Sequence, residues 1–476
     1  MTDVADNIKG DKVHEQDGHL ESDFFRSARL AKDKLDTVSP SMCLAKWSQV
    51  SFHLPTGLNN SCYHPPLHKI DAEEVAKDPA ALHNTSYKKQ QRKMMIDGVR
   101  PKECSYCWNI EDTGNYSDRH YRSGEPWAMM DFDKIVADPM ADINPRYVEV
   151  NFNHACNFKC SYCSPQFSTT WGQEINEHGA YPTQSPHNAP EHFVGDRKPI
   201  PHKDVNPYVD SFWQWWPDLY KDLKHFRMTG GEPLMDKNTF KVLDYVIDNP
   251  KEDLHLAITS NFNPPSSQVW DRYIDKLQKI CVEGGIEHFM QYVSVDTWGE
   301  HAEYIRNGLN FDMLWTNVHR FLEKVPQRTS LTFIITYNNL SVLGIKELLW
   351  NILALRRRYS KDYQRIWFDT PILREPAWQS IKLLPEEYQM IHQEAIDFMQ
   401  DNIETSENRL HGFKDYEIQR MQRDLEWWKT GLEVKEMRRH RSDFVKFFTE
   451  HDRRRGTSFL TTFPQMAEFW QLCKNA

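Results

Sequence analysis

Tyr147-Val148-Glu149-Val150-Asn151-Phe152 leads, across three residues, into Cys156-Asn157-Phe158-Lys159-Cys160-Ser161-Tyr162-Cys163. The first stretch has the β-branched and aromatic bias of a strand, and the second puts three thiols into eight residues. A loop this short keeps three sulfurs on one concave side, where they can bind three irons of a cubane cluster and leave the fourth iron open. An open position is what a catalytic metal site needs and a structural one avoids. A zinc knuckle is the competing reading, but no fourth Cys or His follows at knuckle spacing, and His154 sits awkwardly before the first thiol.

Five more β-rich runs begin near residues 225, 254, 290, 330 and 366, with helix-like stretches between them such as Met235 to Asp248 and Phe311 to Val325. Strands alternating with helices imply βαβ units and a parallel sheet. Six such units make a partial barrel or an open doubly wound sheet, and right-handed crossovers put the loop after each strand on one common rim. Asp369 ends the sixth run on that rim, a candidate proton acceptor. The connection from about 165 to 217 is too long for a simple βα loop and reads as a lid or a disordered insertion, with Phe212, Trp213, Trp215 and Trp216 as core packing at its end.

Residues 1–40 read as a mobile polar arm with one short helix near Phe24 to Leu35, 126–145 as a linker, and 376–476 as a helical region with apolar residues at three- and four-residue intervals. The basic runs Arg438-Arg439-His440-Arg441 and Arg453-Arg454-Arg455 read as solvated helix faces. At 476 residues the chain has room for about three domains. Lys and Arg number 58 against 68 Asp and Glu, a formal charge of -10, so nucleic acid is a poor partner. No apolar stretch approaches bilayer length and the opening residues lack the apolar core of a signal peptide, which reads as a cytoplasmic protein without a membrane partner.

Two thirds of the remaining cysteines also fall in one region, at Cys43, Cys62, Cys104 and Cys107; Cys281 and Cys473 read as ordinary buried thiols. Four thiolates can saturate zinc or a cubane cluster, and spacing alone does not separate the two. Residues 41–125 contain one good helix, Ser86 to Asp97, and little else to form a core, so a metal staple is expected. Arg119 and Arg122 follow the last pair, placed to neutralise thiolate charge or to bind a substrate carboxylate, with surface ion pairing the simpler reading. The 21 His residues form no convincing ligand set.

The three-cysteine loop, with Tyr162 before its last Cys, resembles the radical S-adenosylmethionine (SAM) superfamily signature C-x3-C-x2-C. Thr229-Gly230-Gly231-Glu232-Pro233-Leu234 after the second strand looks like that superfamily's GGEP motif, Thr259-Ser260-Asn261 like its edge near the ribose, and Ser294-Val295-Asp296 like its S-x-D element. The match covers about Tyr147 to Arg374. It implies a partial (β/α)6 radical SAM barrel over 146–375, with a 4Fe-4S cluster on Cys156, Cys160 and Cys163. It also implies SAM held by Gly230, Gly231, Glu232, Pro233, Ser260, Asn261, Ser294 and Asp296, with Arg306 pairing the SAM carboxylate. The implied chemistry is reductive SAM cleavage to a 5'-deoxyadenosyl radical that abstracts hydrogen from a substrate.

The order Cys43, Gly57-x4-Cys62 and Cys104-x2-Cys107 resembles the twitch and SPASM auxiliary-cluster domains, here ahead of the barrel rather than after it. That resemblance implies a second 4Fe-4S cluster with four Cys ligands, serving as an electron conduit or structural staple. The expected function is a radical SAM oxidoreductase or maturase acting on a peptide, protein or small molecule, reduced by a flavodoxin or ferredoxin-type donor. The alternative is a catalytically silent iron-sulfur electron-transfer or scaffold protein.

Overall fold

The computed structural model describes residues 13–16 and 19–476 as a mixed α/β chain with parallel-strand pairing. It divides into two units. One comprises the residues up to Asn153 with Lys198–Gly230 and Glu252–Ala257; the other comprises His154–Arg197, Gly231–Lys251 and Ile258–Ala476.

In the first unit, Val50 and Phe52 alternate with Gln49 and Ser51, and Gln49–His53 is a strand. It pairs antiparallel with Leu58–Asn60 and parallel with Tyr147–Asn151, which in turn pairs parallel with His225–Thr229. Register puts Val50, Val148 and Phe226 in one row and Phe52, Val150 and Met228 in the next. That apolar face packs on helix Pro207–Asp222, where Phe52 meets Phe212 at 6.5 Å and Trp216 meets Phe226 at 4.9 Å between ring centroids. The expected aromatic packing of that helix is therefore present. Gly57 turns the hairpin at φ 63°, and a Cβ there would stand 2.2 Å from the buried Tyr208 ring, so both conformation and space require glycine.

Three expectations shift in this unit. The sheet extends beyond the first expected barrel strand because Gln49–His53 pairs with Tyr147–Asn151, so the Cys-rich region and the first two expected barrel strands share one core. The stretch 126–145 is not a bare linker: helices Pro126–Met129 and Phe132–Ala137 bury Trp127, Ala128, Phe132 and Ile135 in that core. Helix Asp23–Asp36, within the expected mobile arm, buries Ala28, Ala31 and Leu35 and packs on helix Asp118–Gly124. Residues 1–12, 17 and 18 of that arm lie outside the described residues.

In the second unit, Ile286–Ser294, Thr329–Ile334 and Ile366–Asp369 pair in parallel, with helices Phe311–Lys324 and Ile345–Tyr359 between successive strands. The strand Lys251–Ser260 contributes residues to both units. All six expected runs are thus strands. Helices Glu387–Asp401, Asp415–Lys429 and Val434–Arg455 form the expected helical region. The buried Arg356 donates to Glu417 at 2.6 Å, which satisfies both charges in the interior. The part of the long insertion that belongs here is ordered: Asp443 accepts the amides of Gln184 at 2.5 Å and Ser185 at 3.0 Å, and Tyr181 stacks on Phe447. Cys281 and Cys473 are buried, as expected. Among the described residues no helix is long and apolar enough to cross a membrane.

Candidate functional site

The three-cysteine loop is fixed by its own neighbours. Ser168 and Thr170, opening helix Thr169–His178, donate to the Phe158 carbonyl at 2.7 and 2.8 Å, and the Trp171 indole donates to the Cys160 carbonyl at 2.9 Å. The Phe158 amide donates to Cys156 Sγ at 3.4 Å. Lys159–Cys160 then forms a two-residue antiparallel ladder with Arg306–Asn307, which sets Arg306 opposite Cys160. Arg306 Nη1 lies 3.7 Å from Cys160 Sγ and Nη2 donates to Asp296 at 2.8 Å. Tyr162 donates to the other oxygen of Asp296 at 2.9 Å. Burial lifts the thiols of Cys156, Cys160 and Cys163, that of Cys163 to about 12, and Cys160 raises the other two further.

The second part of the site starts at Gly231. A Cβ there would stand 2.3 Å from the Ala155 carbonyl, so only glycine lets this turn reach the residue that precedes the first thiol. The Glu232 amide donates to that same carbonyl at 2.7 Å, and Pro233 opens a single 3-10 turn. The buried Glu232 carboxylate accepts from Ser260 Oγ at 2.8 Å, the Asn261 amide at 2.7 Å and the Leu234 amide at 3.0 Å. Burial still pushes its pKa up to about 7 against those three donors. Asn261 Nδ2 donates to Asn157 Oδ1 at 2.9 Å, so the edge and the cysteine loop are joined directly.

Gly231, Glu232, Ser260, Asn261, Asp296, Arg306 and the three cysteines thus belong to one network. Ser294 ends its strand half-buried two residues before Asp296, and Gly230, at φ 120°, falls in the first unit against Asn151. Asp369 stands apart: its carboxylate is ion-paired with Arg420, and Thr370 beside it donates to Asp424, whose burial pushes its pKa up to about 7.

Among the described residues no group of three or more His, Cys, Asp or Glu is arranged to hold a single metal ion. A cubane makes a different demand, since each thiolate binds its own iron. Three free thiols in one loop, a glycine turn pressed against it, and the buried Arg306 Nε–H with no hydrogen-bond partner fit a cluster with a small polar molecule beside it.

The four remaining cysteines of the first unit line one cavity, together with Lys46, His64, Trp108 and Arg119. Cys43, Cys104 and Cys107 are buried in the apolar core with Trp47, Met95 and Trp127. Burial raises all four thiols, Cys62 to about 11 and Cys104 to about 12, and Lys46 offsets part of this at both. Lys46 is ion-paired with Glu103, and Arg119 makes a two-pronged pair with Glu111 at 2.9 and 2.7 Å while donating to the Met42 carbonyl at 2.7 Å. Arg119 is therefore buried and occupied, neither a surface pair nor a free anion receptor. Four unbridged thiols lining one cavity fit a metal ion or cluster that takes thiolate ligands.

Sequence reasoning missed Asn157, Gln379 and Arg455. Asn157 occupies a variable position of the motif, and Gln379, which exchanges hydrogen bonds with Ser161 at 2.7 and 3.1 Å, carries no local signal. Arg455 was hidden in a run that reads as solvated.

The site is that of a parallel-strand α/β protein with a three-thiol loop against a glycine-lined edge. No protein-family model matches the chain. It is similar to GTP 3',8-cyclase of Aliarcobacter butzleri, 26% identical over 202 residues, and of Campylobacter lari, 22% identical over 202 residues; each match covers 42% of this chain and 48% of the relative. The chain therefore spans about half the length of the curated relatives it matches. A third GTP 3',8-cyclase, of Nautilia profundicola, is 25% identical over 115 residues, 24% of this chain and 27% of the relative. Among solved structures, that of Streptococcus suis SuiB bound to S-adenosylmethionine is similar at 13% identity and a TM-score of 0.36, over 71% of this chain and 65% of that one.

Proposed function

We propose that this chain is a radical SAM enzyme, with Cys156, Cys160 and Cys163 holding a 4Fe-4S cluster and the Gly231–Glu232 and Ser260–Asn261 edge holding SAM. When bound, the cluster and SAM supply a 5'-deoxyadenosyl radical for hydrogen abstraction. The observation that carries this reading is the closed chain of contacts from Ala155 through Glu232 and Asn261 back to Asn157, which ties the edge to the cysteine loop.

The protein's own groups position and shield. Gly231 brings the edge within reach of the loop. Glu232 fixes the Ser260 hydroxyl and the Asn261 amide, and burial raises its pKa to about 7. Asp296 takes Tyr162, Arg306 Nη2 and the Thr336 amide, and so holds the guanidinium whose Nη1 lies 3.7 Å from Cys160 Sγ.

We further propose a second 4Fe-4S cluster on Cys43, Cys62, Cys104 and Cys107, with Lys46 and Arg119 offsetting its charge. Four ligands leave it no open iron, so it would accept or relay electrons, which suits a net oxidation or a peptide or protein modification. The reductant would be a flavodoxin or ferredoxin-type protein. Anaerobic incubation of reconstituted protein with dithionite and SAM tests the reading: 5'-deoxyadenosine should form in wild type and vanish in Cys160→Ala. No product from wild type carrying a full complement of iron would leave a catalytically silent iron-sulfur protein.

A further inference from the structure

The run Arg453-Arg454-Arg455 closes helix Val434–Arg455, yet only the Arg453 side chain is solvated, at 60% exposure; the side chains of Arg454 and Arg455 are 1% exposed. Their burial has a specific object. Arg455 Nη1 donates to the Lys159 carbonyl at 2.9 Å and Nε to Glu174 at 3.2 Å, with its guanidinium 4.9 Å over the Trp171 ring. Trp171 itself donates to the Cys160 carbonyl. The two carbonyls that flank the Cys160 Cα are thus held by two side chains stacked on each other. Glu174, the shared acceptor, also takes Lys159 Nζ at 2.8 Å and the Tyr181 hydroxyl at 2.6 Å.

The same helix turn reaches the other side of the ladder. Asp452 accepts from Tyr304 at 2.8 Å, and Tyr304 lies in helix Gly299–Ile305, which runs straight into Arg306. A two-residue ladder has little stability of its own. Here Lys159–Cys160 is braced by Arg455 and Arg306–Asn307 by Asp452, three residues apart on one helix.

We propose that the final turn of helix Val434–Arg455 is the brace of the cluster loop, with Arg455 the positioning residue that fixes Cys160 through its flanking carbonyl. The inference rests on the assignment of a cluster to this loop and gives the C-terminal helical region a task of its own. It predicts that the region governs how firmly the cluster is held.

The test uses full-length protein reconstituted anaerobically, with iron release to a chelator followed by absorbance, and the EPR spectrum of the reduced protein recorded with and without SAM. Arg455→Met should release about half the iron roughly tenfold faster, the factor expected when one charge-assisted hydrogen bond is lost, and should alter the SAM-induced EPR change. Trp171→Phe, which keeps the ring under Arg455 but removes the bond to the Cys160 carbonyl, should act in the same direction. Arg453→Met should behave as wild type. If Arg455→Met does not fold, Trp171→Phe decides. Wild-type release from every folded variant, with Cys160→Ala losing the SAM-responsive signal, overturns the brace alone. A SAM-responsive signal that survives Cys160→Ala overturns the cluster assignment, and the brace with it.

Discussion

Seven cysteines are divided between two surroundings that differ in kind. Three of the four in the first unit, Cys43, Cys104 and Cys107, sit in an apolar core beside Trp47, Met95 and Trp127, and the cavity that all four line also carries Lys46 and Arg119, already paired with Glu103 and Glu111. The three of the second unit sit in a web of hydrogen bonds whose members come from far along the chain: Asn261, Arg306, Gln379 and Arg455. An apolar, charge-balanced enclosure suits a group that is sealed in and exchanges only electrons. A polar web with a glycine-lined edge suits a site that must admit and orient a second molecule. The cysteine count distinguishes the two less well than the neighbours do.

The sharpest way to break this contrast is to remove one thiol from each side. Cys160→Ala should lower 5'-deoxyadenosine formation by at least about a hundredfold, since it removes a group the chemistry depends on outright. The Cys104→Ala, Cys107→Ala double variant should reduce iron from about eight to about four per chain, as expected for two cubanes becoming one, while SAM cleavage without substrate continues. Zinc in place of iron at the four-thiol site would end the comparison as drawn.

Glycine substitutions sharpen it next. Gly231→Ala drives a Cβ against the Ala155 backbone, and Gly57→Ala against the Tyr208 ring from a left-handed conformation. Each should cost about 1–3 kcal/mol of stability, read by denaturant titration. Gly231→Ala should in addition weaken SAM binding measured by calorimetry, whereas Gly57→Ala should leave it unchanged.

The smallest expected effect is a pH dependence. The folded protein keeps Glu232 protonated up to about 7, whereas the unfolded chain releases that proton near 4.5. Stability from this group is therefore full below pH 4.5 and is lost as pH rises to 7. In protein without SAM, Glu232→Gln should flatten the fall in Tm across that window by an amount on the order of a few degrees. Identical slopes in the two proteins would show that Glu232 is ionised throughout.

Much of this organisation is legible in the residues. Strands from Tyr147 to Asp369 announce themselves because their buried faces demand runs of branched and aromatic residues, and the motif loops fall at their ends. Gln49–His53 is harder to see: its alternation lasts only five residues, and the polar Gln49 and Ser51 are as buried as Val50 and Phe52. Asp369 looks available from its strand-end position, but Arg420 arrives from a helix some fifty residues later. Arg119 and Arg455 mislead for the same reason, because whether a guanidinium faces water or a carbonyl is decided by partners that local spacing does not reveal.

The grip of Arg455 on Lys159 also fixes an order of events in biosynthesis. The cysteine loop leaves the ribosome about 300 residues ahead of the helix that steadies it, an interval of about 15–60 s at common rates of synthesis. Throughout that interval the three thiols have no Arg455 beside them. Iron delivered to the nascent chain would meet a loose loop, whereas iron delivered after release would meet one already held by Arg455.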